Sequence, residues 1–107
     1  MLDKDSLIAH IRSLLLKGNV SRTIHFYERI AERNLSEEDV FHCILQGEII
    51  ENYHSDNSMS SCLVFGYCLK GEIIHTVVAY NSDEIKLITA YKPSLEKFHE
   101  DFKTRRK

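Results

Sequence analysis

The sequence predicts an α+β domain of three N-terminal helices, a four-stranded antiparallel β-meander and a C-terminal helix. Three observations predict it. Apolar residues recur at helical spacing as far as Gly47, and extended, β-branched runs replace that period afterwards. Turn signals at Lys70-Gly71 and Asn81-Ser82-Asp83 divide the extended half, so successive strands are neighbours and antiparallel. Pro93 closes the last strand, and Ser94 offers a cap for a final helix.

Residues 3–17 read as the first helix, capped by Asp5 or Ser6, with Leu7, Ile8, Ile11, Leu14 and Leu15 on one face. Gly18-Asn19 stops it, and Val20 to Ile24 is a short connector. The second helix covers about 24–33, and Asn34 suits a left-handed residue past its end. Ser36-Glu37-Glu38-Asp39 opens a third helix, with Ser36 as cap and carboxylates in the first turn. Val40, Phe41, Ile44 and Leu45 form its apolar face, and Gly47 ends it. Strands follow at 48–54, 61–69, 72–80 and 84–91, and a last helix runs from Ser94 to about Arg105.

Residues 1–107 fit one domain, long enough to bury about 65% of the unfolded surface. With 43% hydrophobic and 28% charged residues, 4 Gly and 1 Pro, the composition is that of a folded globular chain. No apolar run of about 18 residues is present, and Asp3, Lys4 and Asp5 do not suit a signal peptide. The expectation is a cytoplasmic protein with no membrane contact. Cys43, Cys62 and Cys68 form no CxxC pair, and six strand residues put Cys62 and Cys68 about 20 Å apart. They read as reduced, buried thiols, with no metal site and no cofactor.

His25-Phe26-Tyr27-Glu28-Arg29-Ile30-Ala31-Glu32-Arg33 carries the chemistry-bearing pattern. At about 3.6 residues per turn, His25, Arg29 and Arg33 share one helical stripe, beside an apolar stripe of Phe26 and Ile30. A titratable ring aligned with two fixed cations suits a phosphodiester. The plainer reading is a helix at the core edge whose arginines pair with Glu28 and Glu32. The formal charge of −2 gives no global attraction to nucleic acid, but the tail Lys103-Thr104-Arg105-Arg106-Lys107 is basic. A solvated helix end accounts for that tail as well as a phosphate contact does.

Beyond these patterns the chain resembles the bacterial domain of unknown function 4258. The resemblance rests on Thr23-Ile24-His25, Glu28 to Arg33, Leu35-Ser36, Asp39-Val40, Gly47 to Tyr53, Ile74 to Ala79, Ile88 to Pro93, Phe98 and Arg105-Arg106, over about residues 20–106. It implies a RelE-like fold, that of small ribonuclease toxins with helices packed on a β-meander. It also implies His25, Arg29, His75, Thr89 and Tyr91 as catalytic candidates. Phe26 stands where the family has a small residue, Asn34 where it has a glycine, and Phe98 where it has a tryptophan.

The function expected on this basis is metal-independent RNA cleavage of the toxin–antitoxin type. A base takes the 2′-hydroxyl proton, an acid protonates the leaving oxygen, and cations stabilise the phosphorane. His25 and His75 form the base–acid pair, Arg29 and Arg33 bind phosphate with Arg105 and Arg106, and Tyr91 or Thr89 donates to a non-bridging oxygen. A three-residue turn at Asn81–Asp83 pairs Ala79 with Ile85 and Val77 with Leu87, so that His75 faces Thr89 and Tyr91 shares their face. A two-residue turn puts His75 and Thr89 on opposite faces. His75, set among Ile73, Ile74, Val77 and Val78, reads equally as a satisfied core histidine, and Tyr91 as a residue packed under the last helix. His10, His42 and His99 read as surface or packing residues. The expected partners are RNA and a cognate antitoxin protein, with a homo-oligomer open. The alternative is a non-catalytic interaction or small-ligand-binding domain on the same scaffold, for which a dimer is one form.

Overall fold

The computed structural model describes residues 3–107. The elements are α1 (Lys4–Leu16), β1 (Val20–Arg22), α2 (Ile24–Glu32), α3 (Glu37–Gln46), β2 (Glu48–Tyr53), β3 (Ser60–Tyr67), β4 (Ile73–Tyr80) and β5 (Ile85–Tyr91). They build one five-stranded sheet in the order β1-β5-β4-β3-β2. β2 to β5 form the antiparallel meander, and β1 pairs with β5 in parallel.

This architecture overturns the expected one of three successive helices, four antiparallel strands and a closing helix. The sheet is mixed and has five strands, and a strand interrupts the helices between α1 and α2. β1 has only three residues, too few for any period to show, and it exists because its backbone finds the edge of β5. No helix follows β5 among the described residues. Ser94 starts a single turn, its carbonyl accepting from the Lys97 and Phe98 amides. The Asp101 carboxylate then accepts from the amides of Lys103 and Thr104, and Phe102 adopts φ 55°. That local side-chain bonding competes with a helix, and the chain doubles back so that Phe98 bridges Arg105. These amides and the Thr104 hydroxyl pull the Asp101 carboxyl down to about 2.

Local chemistry sets the other boundaries. Asp3, rather than the expected Asp5 or Ser6, caps α1 by accepting from the Ser6 amide. Thr23 caps α2, Asn34 takes the left-handed turn with φ 57°, and Ser36 and Asp39 form a reciprocal capping box on α3.

All three helices pack on one face of the sheet. Leu7, Ile11, Phe26, Ile30, Val40 and Ile44 meet Cys62, Val64, Ile74, Val78, Ile85, Leu87 and Ala90 there. The three cysteines are buried thiols, and burial raises Cys43 to about 11 and Cys62 to about 12, so both stay protonated. The second face carries the cross-strand row Phe65–His75–Tyr91. The C-terminal segment lies over that row as a strap, with the Phe98 ring 4.6 Å from His75.

Candidate functional site

A cavity of about 290 Å³ opens where the end of β5, the end of α2 and the strap meet. Its lining is Arg33, Tyr91, Lys92, Ser94, Lys97, Phe98 and Arg105, with no carboxylate. Each cation reaches it by a different route.

Arg33 is the C-cap of α2. β1 pairs only with Ile85 to Leu87, so the rest of β5 has no strand beside it on that edge. Arg33 fills the gap: its Nη1 donates to Thr89 Oγ1 and to the Ala90 carbonyl, both at 2.9 Å. Five N–H groups make up a guanidinium, so about three remain for a ligand. Both partners of Arg33 are neutral, and the half-buried charge has no carboxylate among the described residues.

Arg105 is held on the opposite side. Its Nε and Nη2 fork onto the Glu51 carboxylate at 3.1 and 2.9 Å, and its Cζ lies 4.7 Å over the Phe98 ring. The fork holds the Glu51 carboxyl below the usual range, and the Tyr53 hydroxyl donates to the same carboxylate. About three N–H groups of Arg105 stay free. Lys92 is engaged by Glu72 at 3.2 Å, whereas Lys97 is exposed and forms no ion pair among the described residues.

Tyr91 is half-buried, and burial raises its phenol above the ordinary value, so the proton stays on. Behind it sits His75, which is 0% exposed. His75 Nε2 lies 2.7 Å from the Phe102 carbonyl, which can only accept, so Nε2 carries the proton. Nδ1 is then the acceptor, facing the Tyr91 hydroxyl at 3.4 Å. Burial pushes the ring's pKa down, so His75 is neutral at pH 7.

The sequence-predicted site residues divide accordingly. Arg33, Tyr91 and Arg105 line the cavity; Thr89 holds Arg33, and His75 backs Tyr91. His25 and Arg29 are exposed on α2, and Arg29 pairs with Glu32 at 3.5 Å. Eight residues separate His25 from Arg33, about 12 Å along a helix. The buried side of α2 joins the first sheet face, whereas His75 points to the second, so the two histidines are not brought together. Arg106 ties the strap to itself through the carbonyls of Leu95 and Phe98.

The expected register is also corrected. The turn holds four residues rather than three, since Tyr80 pairs with Ile85, which moves the ladder by one residue; a bulge at Val77/Val78 moves it by one more, so His75 pairs with Tyr91 and Val77 with Thr89. His75, Thr89 and Tyr91 still share one face. Lys92, Ser94 and Lys97 were not singled out from sequence. The signal open to reading was no more than Lys92 and Lys97 on either side of Pro93-Ser94, among Glu96, Glu100 and Asp101, and the doubled-back strap that brings Lys97 toward Arg33 has no period.

The family model for a domain of unknown function (DUF4258) matches residues 23–92. The chain belongs to this family. The DUF4258 stretch begins at the cap of α2 and ends one residue beyond β5, so it contains Arg33, Thr89, Tyr91 and Lys92. Ser94, Lys97 and Arg105, which close the cavity, lie after it. No curated protein and no solved structure matches the chain.

Proposed function

We propose that this domain grips an RNA phosphodiester in the cavity and cleaves it by internal attack, in the manner of RelE-like toxins. One observation carries the reading. Two guanidiniums, each pinned along one edge by the protein and each with about three N–H groups free, line a carboxylate-free cavity that also holds Lys97 and a protonated phenol. Pinned forks lose little entropy on binding and suit a phosphate's oxygens.

The chemistry follows from the same groups. The ribose 2′-oxygen attacks phosphorus, forming a P–O2′ bond while the P–O5′ bond breaks. Arg33, Arg105 and Lys97 stabilise the charge on the phosphorane. The Tyr91 phenol gives its proton to the leaving 5′-oxygen, and the 2′-hydroxyl proton passes to water. His75 is too enclosed to touch RNA, so the expected two-histidine mechanism gives way to a tyrosine acid. A cognate antitoxin would inhibit by laying acidic side chains on the same cations.

The test is cleavage of a labelled RNA panel by the wild type, Tyr91→Phe, Arg33→Ala and Lys97→Ala, with melting temperature as the folding control. Tyr91→Phe should slow cleavage by roughly a hundredfold or more, as loss of a general acid does, without weakening binding. Each cation variant should weaken binding and reduce its salt dependence by about one phosphate. Binding without cleavage by the wild type supports the non-catalytic ligand-binding reading instead, and no binding overturns both.

A further inference from the structure

The strap covers only half of the second sheet face. Beside the covered row Phe65–His75–Tyr91 runs the row Glu51–Leu63–Val77–Thr89, and beyond it Tyr53–Ser61–Ala79–Lys86. Val77, Ala79, Ser61 and Thr89 are half-buried, Leu63 between them is only 3% exposed, and no helix among the described residues packs on this face. The middle row crosses four strands, about 14 Å at ordinary strand spacing. Its ends are marked by the two arginines of the cavity: Arg33 holds Thr89 at one, and Arg105 forks onto Glu51 at the other. The face is thus a mildly apolar floor bracketed by guanidiniums, and Glu51, the acid on this row, is neutralised by its own arginine.

Tyr53 completes the pattern. Tyr53 is 54% exposed, yet its hydroxyl is anchored on Glu51, the carboxylate that Arg105 also holds. An exposed aromatic ring, fixed at its polar end beside a phosphate-binding cation, has the layout of a base-stacking platform. A duplex keeps its bases stacked on one another and offers no face to such a ring; a single strand does.

We propose that the uncovered half of the second sheet face is a track for single-stranded RNA, with Tyr53 stacking a base next to the phosphate held by Arg33, Arg105 and Lys97. The proposal rests on the phosphate reading of the cavity and adds to it the strandedness of the substrate and a base contact. Tyr53 binds and takes no part in bond breaking.

The experiment is fluorescence anisotropy with a short single-stranded RNA carrying 2′-fluoro riboses, which cannot undergo internal attack. The same oligomer with abasic residues and the same sequence as a duplex are compared with it. Stacking on one ring contributes roughly 5- to 150-fold in affinity. The wild type should bind the single strand at least several-fold tighter than the abasic oligomer or the duplex. Tyr53→Ala should lose roughly tenfold on the single strand and nothing on the abasic oligomer, and Tyr53→Phe, which keeps the ring and loses only its anchor on Glu51, should lose far less than Tyr53→Ala. Lys97→Ala should weaken both single-stranded ligands. Equal affinity of the wild type for base-bearing and abasic oligomers, or an equal loss on both in Tyr53→Ala, overturns the track while leaving the phosphate site standing. Indifference of every oligomer to Lys97→Ala and Arg33→Ala strikes the phosphate site itself. Failure of the wild type to bind any oligomer ends both, and leaves the face to a protein partner.

Discussion

Phe98→Ala should release the strap without unfolding the domain. Phe98 is 1% exposed, but it lies outside the main apolar cluster, against His75 and under Arg105. The strap's other anchors are weaker. The bond from His75 to the Phe102 carbonyl contributes about 1 kcal/mol. The Arg105–Glu51 fork, with Arg105 half-exposed, contributes at most about 1 kcal/mol, as does the Lys103–Glu48 pair. Truncating a buried phenylalanine costs about 3–5 kcal/mol. The truncation therefore outweighs any single remaining anchor, and the cost falls on a segment that can open alone. The assay is native-state hydrogen exchange. The amides of Phe98, His99, Phe102 and Arg106, all bonded within the strap, should lose protection by roughly a hundredfold or more. Amides of β3 and β4 should change far less. Phosphate and RNA binding should fall with the strap, because Lys97 and Arg105 leave the cavity. Unchanged protection of residues 94–106, or a loss shared equally by β3 and β4, would refute a strap that opens independently of the sheet.

Two further outcomes follow from buried groups. His75 is neutral in the folded state with its pKa lowered by burial, so the unfolded chain takes up a proton first. Stability should therefore fall as pH drops below about 6.5, the unfolded value, before the carboxylates of Glu37, Glu51 and Asp101 titrate. His75→Gln, which keeps a donor for the Phe102 carbonyl, should flatten the change in melting temperature between pH 7.5 and 5.5; an unaltered slope would place the sensitivity elsewhere. Gly66→Ala should destabilise by about 1–3 kcal/mol in urea titration, since the added carbon would lie 2.6 Å from the Cys43 carbonyl oxygen and 2.8 Å from its Sγ. A cost near zero would mean that α3 can move away from β3.

What could be read from the chain was whatever local chemistry decides. Asn34 as a left-handed residue and Ser36 as a cap act through their own backbone neighbours, and both stand as expected. The four strands of the meander follow from turns and β-branched runs in the same way. β1 could not be read, because three residues form a strand only if an edge awaits them, and that edge belongs to β5, over sixty residues later. The C-terminal helix failed for a related reason. Ser94 does open a turn, but Asp101 spends its carboxylate on two amides, and the docking of Phe98 onto His75 favours a doubled-back chain.

The site shows where a helical stripe stops being informative. His25, Arg29 and Arg33 do lie along one helix, but a stripe is a line and a site is a place. Only the end of the line reaches the cavity, because α2 stops at the bare stretch of β5 that Arg33 satisfies. His75, Thr89 and Tyr91 share a face although their pairing was expected differently, since the four-residue turn and the bulge at Val77/Val78 each shift the ladder by one residue and together keep the face. Neither pattern predicts that a strap crosses that face, buries His75 and adds Lys97 and Arg105. The strap therefore decides what the cavity presents: it removes a histidine from solvent, and it leaves a tyrosine among cations.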